Sequence, residues 1–163
     1  MKKITLLSDT HGLLDAPTER LLGEPDEIWH AGDIGPLSLT DRLEKWAPVR
    51  AVYGNIDDYR VRAHWPEHQR FTLEGVKVWI THIGGYPGRY DRRVREALRQ
   101  NPPDLFICGH SHILKVMRDK KLQLLHMNPG AMGKQGFHHK RTLLRFTLEA
   151  GRVKDLEVGE LPR

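Results

Sequence analysis

Short apolar runs alternate with segments of helical periodicity in the first third of the chain. The runs predict three strands, over residues 4–8, 27–30 and 49–53. Asp15 is the expected N-cap of a helix that ends at Gly23, and Ser38 is the expected N-cap of a second helix that Pro48 terminates. This alternation of strands and helices is typical of a parallel sheet covered by helices.

Two-residue turn signals organise much of the second half. Glu74-Gly75, Asp119-Lys120 and Ala150-Gly151 each separate two strand-like runs, so three hairpins are predicted. A helix is expected over residues 90–100 and a further strand over residues 105–108. Together the elements predict one domain over residues 1–163, of α/β (α+β) class, in which two sheets pack face to face with helices outside.

Composition and charge narrow the class of protein. With 39% apolar and 29% charged residues among 163, the chain has the composition of a globular domain. Its longest apolar runs have the length of strands, so no membrane span is predicted, and the N-terminal run is too short for a signal peptide. The single cysteine, Cys108, fits a reducing compartment, so a cytoplasmic location is expected. The net charge of +5 favours anionic ligands without separating nucleic acid from small phosphates.

Residues that can bind metal recur at the ends of five predicted strands. They are Asp9, His11, Asp33, Asn55, His82, His110 and His112. Gly-Asp and Gly-Asn alone are common turn dipeptides, but turns do not require histidine at four such positions. Side chains delivered to one rim by parallel strands would lie together, and this mixture of oxygen and nitrogen ligands suits Mn²⁺, Fe or Zn²⁺ better than Ca²⁺.

These motifs resemble, in order, those of the calcineurin-like metallophosphoesterase superfamily. The matching segments are Asp9-x-His11, Gly32-Asp33, Gly54-Asn55, His82 and Gly109-His110-x-His112. The chain length and the Asn128-Pro129-Gly130 turn resemble the small prokaryotic phosphodiesterase branch of that superfamily. The resemblance implies an αββα sandwich of two mixed β-sheets flanked by helices. It also implies two divalent metal ions, with Mn²⁺ as the first expectation and Fe, Zn²⁺ or Ni²⁺ as alternatives.

The resemblance also implies a role for each motif residue. One ion would be bound by Asp9, His11, Asp33 and His112. The other would be bound by Asp33, Asn55, His82 and His110, so that Asp33 bridges the two ions. Asn55, His110 and Asp33 are the expected catalytic residues, around a bridging hydroxide that attacks phosphorus.

One position departs from the superfamily pattern. Many members carry histidine directly after the asparagine, where it is assigned to protonate the leaving oxygen, but this chain has Ile56. Isoleucine has no proton to donate, so esters with poor leaving groups are expected to react slowest unless another group replaces it. His30 and His126 are the next candidates, and Asp57 is expected to orient a histidine placed at position 56.

Two basic clusters complete the sequence picture. Arg89, Arg92, Arg93, Arg95 and Arg99 are interpreted as a solvated helix face. In the loop cluster of Lys134, His138, His139, Lys140 and Arg141, both Lys134 and Arg141 are expected to help bind phosphate.

The expected function is a dinuclear metal-dependent phosphodiesterase that hydrolyses small phosphodiesters or activated phosphate esters. Its expected partner is therefore a small phosphate-ester substrate. A non-catalytic interaction scaffold of the same fold is the alternative, because a eukaryotic retromer subunit resembles this family. A nuclease that uses the basic surface is a third interpretation, although no nucleic-acid-binding motif supports it. The natural substrate and self-association as a homo-oligomer remain open.

Overall fold

Twelve strands and four helices make up the protein, and the computed structural model describes all of residues 1–163. In chain order the strands are β1 (Lys2–Leu7), β2 (Glu27–His30), β3 (Val49–Ala51), β4 (His68–Leu73), β5 (Val76–Thr81), β6 (Gly85–Tyr86), β7 (Arg89–Tyr90), β8 (Leu105–Ile107), β9 (Leu114–Asp119), β10 (Leu124–Pro129), β11 (Lys140–Glu149) and β12 (Arg152–Pro162). The helices are α1 (Ala16–Leu21), α2 (Leu37–Leu43), α3 (Tyr59–His64) and α4 (Arg92–Gln100). No helix is long and apolar enough to cross a membrane.

The strands form two five-stranded mixed sheets and a short ribbon. The first sheet has the order β12-β11-β1-β2-β3, the second has the order β4-β5-β8-β10-β9, and β6 pairs with β7. Neighbours β1, β2 and β3 are parallel, as are β5, β8 and β10, whereas the remaining strands pair antiparallel. Each sheet therefore has three parallel strands whose carboxyl ends lie at one edge. The candidate ligands come directly after five of these six strands in the sequence.

Three apolar clusters define the layers. The first contains Trp29 of the first sheet and Ile107 of the second, and it fills the space between the sheets. The second packs the outer face of the first sheet against α1, α2 and α3, and the third packs Phe106 of the second sheet against Leu98 of α4. Helices thus cover both outer faces, and the predicted αββα sandwich of two mixed sheets is confirmed.

Local predictions were less accurate at the ends of elements. Asp15 caps α1 as predicted, through a hydrogen bond from the Thr18 backbone amide. The predicted cap of α2 is wrong, because Pro36 is the N-cap residue, no side chain caps the helix, and Ser38 lies inside it. The sequence pattern also missed α3, since Val61 is its only buried residue and so no apolar periodicity marks it.

Candidate metal centre

All seven candidate ligands lie at one end of the sandwich, in loops that follow the parallel strands. Asp9 and His11 follow β1, Asp33 follows β2 and Asn55 follows β3. From the second sheet, His82 follows β5, and the His110 and His112 loop follows β8. Six of the seven form two groups whose potential ligand atoms lie within 4.8 Å of one another: Asp9, His11 and His112 in one, and Asp33, His82 and His110 in the other.

The carboxylate of Asp33 joins the two groups. Its Oδ2 lies 3.2 Å from His82 Nε2 and 3.5 Å from His11 Nε2. In the first group, Asp9 Oδ1 lies 3.1 Å from His112 Nε2. A carboxylate between imidazoles of both groups has the placement that a bridging ligand needs.

Asn55 lies with the second group. Its Oδ1 is 3.1 Å from His82 Nε2 and 3.1 Å from His110 Nδ1. Asn55 and His110 are exposed, whereas Asp9, Asp33 and His82 are buried. The second group is consequently the side from which a small molecule can reach the site.

The backbone at these positions is unusual. Asp9, His11, Asp33, His110 and His112 all have positive φ, between 46° and 72°, and they are five of the nine non-glycine residues in this region of conformational space. The left-handed conformation is unfavourable for residues with a Cβ atom and persists only where surrounding structure imposes it. Five such residues converging on one small volume is the pattern of a functional site.

Neighbouring groups orient the candidate ligands. The ring of His82 donates from Nδ1 to the Ala31 carbonyl at 2.7 Å, which leaves the Nε2 lone pair directed at the centre. Asp9 Oδ2 accepts hydrogen bonds from the Ser8 hydroxyl at 2.6 Å and from the His110 backbone amide at 3.1 Å. The backbone contact ties a loop of the second sheet to a ligand of the first.

Asp57 holds two ligand loops together and was not recognised as a positioning residue from sequence. Its buried carboxylate accepts from the backbone amides of Ile34 and Gly35, which follow Asp33, and from Gly54, which precedes Asn55. Three backbone donors leave this carboxylate about one free lone-pair site, and its ability to orient a histidine placed at position 56 stays a prediction.

The electrostatic environment fits divalent cations. Burial alone would raise the pKa of Asp33, but the hydrogen bond and charge of His82 outweigh this effect and lower it. For His82, burial would lower the pKa, but hydrogen bonding to Asp33 and the charges of Asp9 and Asp33 raise it. His11 Nε2 is buried and has no hydrogen-bond partner. An orphaned imidazole nitrogen beside two buried carboxylates is satisfied by a metal ion, so the residues fit the ions that the sequence implies.

The two histidines proposed as replacement acids cannot reach a substrate. His30 is fully buried, and it accepts from the Gly32 amide at Nδ1 while Nε2 bonds to the Thr10 hydroxyl. His126 is also fully buried, and its ring lies edge-on to Tyr86. Burial lowers the pKa of each imidazole to about 4, so both are neutral at pH 7. These two suggestions are wrong.

The basic clusters also differ from expectation. Arg141 is only 2% exposed, and its guanidinium binds the Asp15 carboxylate, the Thr18 hydroxyl and the Met132 carbonyl. Its predicted role in binding phosphate is therefore wrong, because four of its five N–H donors bind groups within the fold. Conversely, Arg93 of the supposedly solvated helix face lines two clefts beside Asn55. From the loop cluster, His138 is the residue that lies beside the metal centre, with its ring centroid 5.2 Å from that of His112.

Comparison with known proteins finds relatives of this chain by sequence and by fold. The model of the calcineurin-like phosphoesterase superfamily domain matches residues 1–151. A probable metallophosphoesterase of Mycoplasma pneumoniae is 30% identical over an alignment 163 positions long, which covers 96% of this chain and 96% of that protein. Among solved structures, an archaeal phosphodiesterase has a TM-score of 0.75 at 21% identity, with 99% of both chains covered. Vps29 of Entamoeba histolytica in complex with zinc has a TM-score of 0.72 at 16% identity, with 98% of both chains covered. These two structures are similar in fold.

Proposed function

Because the chain belongs to the calcineurin-like phosphoesterase superfamily, we propose that it is a dinuclear metal-dependent phosphodiesterase acting on small phosphodiesters or activated phosphate esters. The observation that carries this proposal is the position of Asp33 Oδ2, within 3.5 Å of imidazole nitrogens from both ligand groups. A carboxylate shared by two cation sites would hold two ions close together, as two-metal phosphoryl transfer needs.

The ligand sets follow from the two groups. Asp9, His11, Asp33 and His112 would hold one ion, and Asp33, Asn55, His82 and His110 would hold the other. When bound, the ions supply positive charge for the phosphoryl oxygens and lower the pKa of a water nucleophile. Mn²⁺ is the first candidate, with Fe, Zn²⁺ and Ni²⁺ as alternatives, because the donors are imidazole, carboxylate and amide without sulfur.

The chain itself would bind and orient the ester. A cleft of about 440 Å³ lies beside the second group, between Asn55, His110 and Arg93. Its size suits a small ester rather than a folded polymer. The Arg93 guanidinium, 3.2 Å from Asp91, remains more than half exposed and is available to bind a phosphate oxygen at the cleft entrance. Asn55 contributes a neutral amide, so the site does not become too negative to accept a phosphate.

A protein-interaction scaffold is the second candidate. Vps29 structures have the same fold, and their similarity is the observation that favours it. All seven candidate ligands are present in this chain and converge at one rim, which supports the enzyme.

The test is hydrolysis of bis(p-nitrophenyl) phosphate by metal-stripped protein reloaded separately with Mn²⁺, Zn²⁺, Fe²⁺ or Ni²⁺. We expect metal-dependent turnover that exceeds turnover of p-nitrophenyl phosphate. His110→Ala should lower diester turnover by about 100-fold or more, since it removes a ligand and a cleft residue together. His64→Ala is the matched control, because His64 is exposed on α3. Absence of turnover with every metal, in protein shown to bind the ions, would contradict the enzyme and favour the scaffold.

A further inference from the structure

The source of the proton for the leaving oxygen is open once Ile56, His30 and His126 are excluded. The cleft beside the second ligand group contains one phenol, Tyr86, and one aliphatic hydroxyl, Ser111. Both lie in the same cleft as Asn55 and His110, so they face the side of the site that is open to a substrate. Among the residues lining this cleft, Tyr86 is the one that is not an expected metal ligand and whose neutral side chain carries an ionisable proton.

Three contacts fix the position of the Tyr86 ring. Its hydroxyl is hydrogen-bonded to the Ser111 hydroxyl. The ring lies edge-on to the buried His126, with 5.6 Å between centroids, and Lys115 Nζ lies 5.1 Å from the ring centre. A side chain supported on three sides keeps one orientation, which a group that transfers a proton needs.

The other hydrogen bonds of Ser111 determine which hydroxyl donates in the bond between Tyr86 and Ser111. Ser111 Oγ accepts from Asn128 Nδ2 at 3.1 Å and from the Ile113 backbone amide at 3.3 Å. A serine hydroxyl has two acceptor lone pairs and one proton, so its proton is left to donate to Tyr86. The Tyr86 oxygen therefore accepts from Ser111, and its own proton is free to point into the cleft.

The Asn128-Pro129-Gly130 turn contributes no metal ligand, but its asparagine positions Ser111. Its side chain is buried, donates to the Gly109 carbonyl at 3.0 Å and accepts from the Gly130 amide at 3.0 Å. These bonds fix Asn128 Nδ2 against Ser111, so the turn acts as a positioning element for the hydroxyl pair. The chain of contacts runs from Asn128 through Ser111 to Tyr86.

We propose that Tyr86 is the catalytic residue that protonates the leaving oxygen of phosphodiesters bound in this cleft, an inference that rests on the proposed function. Water adds its oxygen to phosphorus and gives up one proton to solvent as the bond from phosphorus to the leaving oxygen breaks. That oxygen departs with the bonding electron pair and takes the phenol proton, so the products are an alcohol and a phosphate monoester. The tyrosinate is then reprotonated from solvent.

The environment of Tyr86 makes its phenol a weaker acid than an ordinary tyrosine, one that gives up its proton only to a strong base. Burial raises the pKa of the phenol above its ordinary value, although the bond to Ser111 opposes the shift. The phenol therefore stays protonated at neutral pH. Because the proton would pass to an alkoxide, which is more basic still, the inference implies that alkyl phosphodiesters are substrates, contrary to what Ile56 alone suggests.

The experiment compares native protein with Tyr86→Phe on phosphodiesters whose leaving groups range from nitrophenol to a simple alcohol. General acid catalysis contributes about 10²–10⁴-fold, so Tyr86→Phe should lower turnover of the alkyl diester by about 100-fold and change nitrophenyl turnover by less than about threefold. Tyr59→Phe, which alters an exposed phenol on α3, is the control and should match native protein. An equal loss for all leaving groups, or no loss for any, would overturn the assignment.

A second measurement does not depend on turnover. In native protein labelled with ¹³Cζ-tyrosine and loaded with Zn²⁺, the Tyr86 resonance is identified by its absence from the spectrum of Tyr86→Phe. This resonance should shift when inorganic phosphate is added, and the Tyr59 resonance should not. An unshifted Tyr86 resonance at saturating phosphate would overturn its place in the substrate cleft, whatever the activity. Native protein that hydrolyses no ester would instead contradict the proposed function, so the two failures are distinguishable.

Discussion

The two ends of the sandwich use the same unfavourable backbone conformation for different purposes. At one end, the β4–β5 and β11–β12 turns place Glu74 and Ala150 at φ of 50°, each followed by a glycine with positive φ. These turns contact each other, since Gly151 donates its amide to the Glu74 carbonyl at 2.8 Å. At the other end, five candidate ligands have positive φ, and four of them are not followed by a glycine.

The difference shows what determines each conformation. In the hairpins, a two-residue turn with positive φ matches the twist of the paired strands, so the local sequence is enough to explain it. At the ligand rim, the conformation is imposed by contacts from distant segments, such as the Ile56 amide bonded to Asp33 at 3.0 Å and the Met132 amide bonded to the Ser8 carbonyl at 2.9 Å. The strained backbone at the rim thus positions ligand side chains, whereas the positive φ angles in the hairpins only reverse the direction of the chain.

Substituting one glycine at the ligand end should lower activity, whereas substituting one at the hairpin end should lower stability alone. A Cβ atom at Gly54 would overlap both the carboxylate and the backbone nitrogen of Asp33, whereas a Cβ at Gly75 would lie 3.1 Å from Gly151 N in a turn. Gly54→Ala should lower kcat/KM by about 100-fold or more, because a displacement near 1 Å at a reacting centre has that effect. Gly75→Ala should cost about 1 kcal/mol of unfolding free energy and leave kcat/KM unchanged.

These two variants are compared by diester kinetics, metal content and urea unfolding. If Gly54→Ala retains native kcat/KM, the placement of Asp33 is not critical and the contrast between the ends fails. If Gly75→Ala loses activity while folded, the turn end is coupled to the site in a way that the structure does not explain.

A smaller effect, on stability rather than activity, is expected for Arg141→Ala. The variant removes the ion pair that links β11 to the start of α1, and it should lower the unfolding free energy by about 2–4 kcal/mol. The guanidinium holds the pKa of Asp15 well below its usual range, so the pair stabilises the fold above about pH 4 and this contribution is lost as Asp15 is protonated at lower pH.

Urea unfolding of metal-free protein at several pH values measures this effect. The difference between native protein and Arg141→Ala should be constant near neutrality and shrink below about pH 4. KM for the diester should not change, since Arg141 is buried away from the cleft. A raised KM with native stability would restore the phosphate-binding role that the sequence suggested.

The sequence predicted which residues form the candidate site better than it predicted the contacts of their neighbours. The seven candidate ligands could be selected because carboxylate, amide and imidazole side chains recur after strands, and the hairpins at Glu74-Gly75 and Ala150-Gly151 formed as predicted. The roles of Asp57, Arg93 and Arg141 could not be predicted, because each depends on which distant segment lies beside the side chain. Two predicted strands also ended early, β3 at Ala51 and β8 at Ile107, where the chain leaves the sheet to form the ligand loops.

The most direct test of the account is the number of metal ions bound per chain by native protein and by Asp33→Ala. The side chain of Asp33 lies between both ligand groups, so its removal should weaken both sites rather than one. After dialysis against Mn²⁺ and removal of free metal, elemental analysis should find about two ions per native chain and fewer than about one in Asp33→Ala, with loss of diester turnover. Two tightly bound ions in Asp33→Ala, or full turnover by metal-stripped native protein, would contradict a centre built on a shared carboxylate.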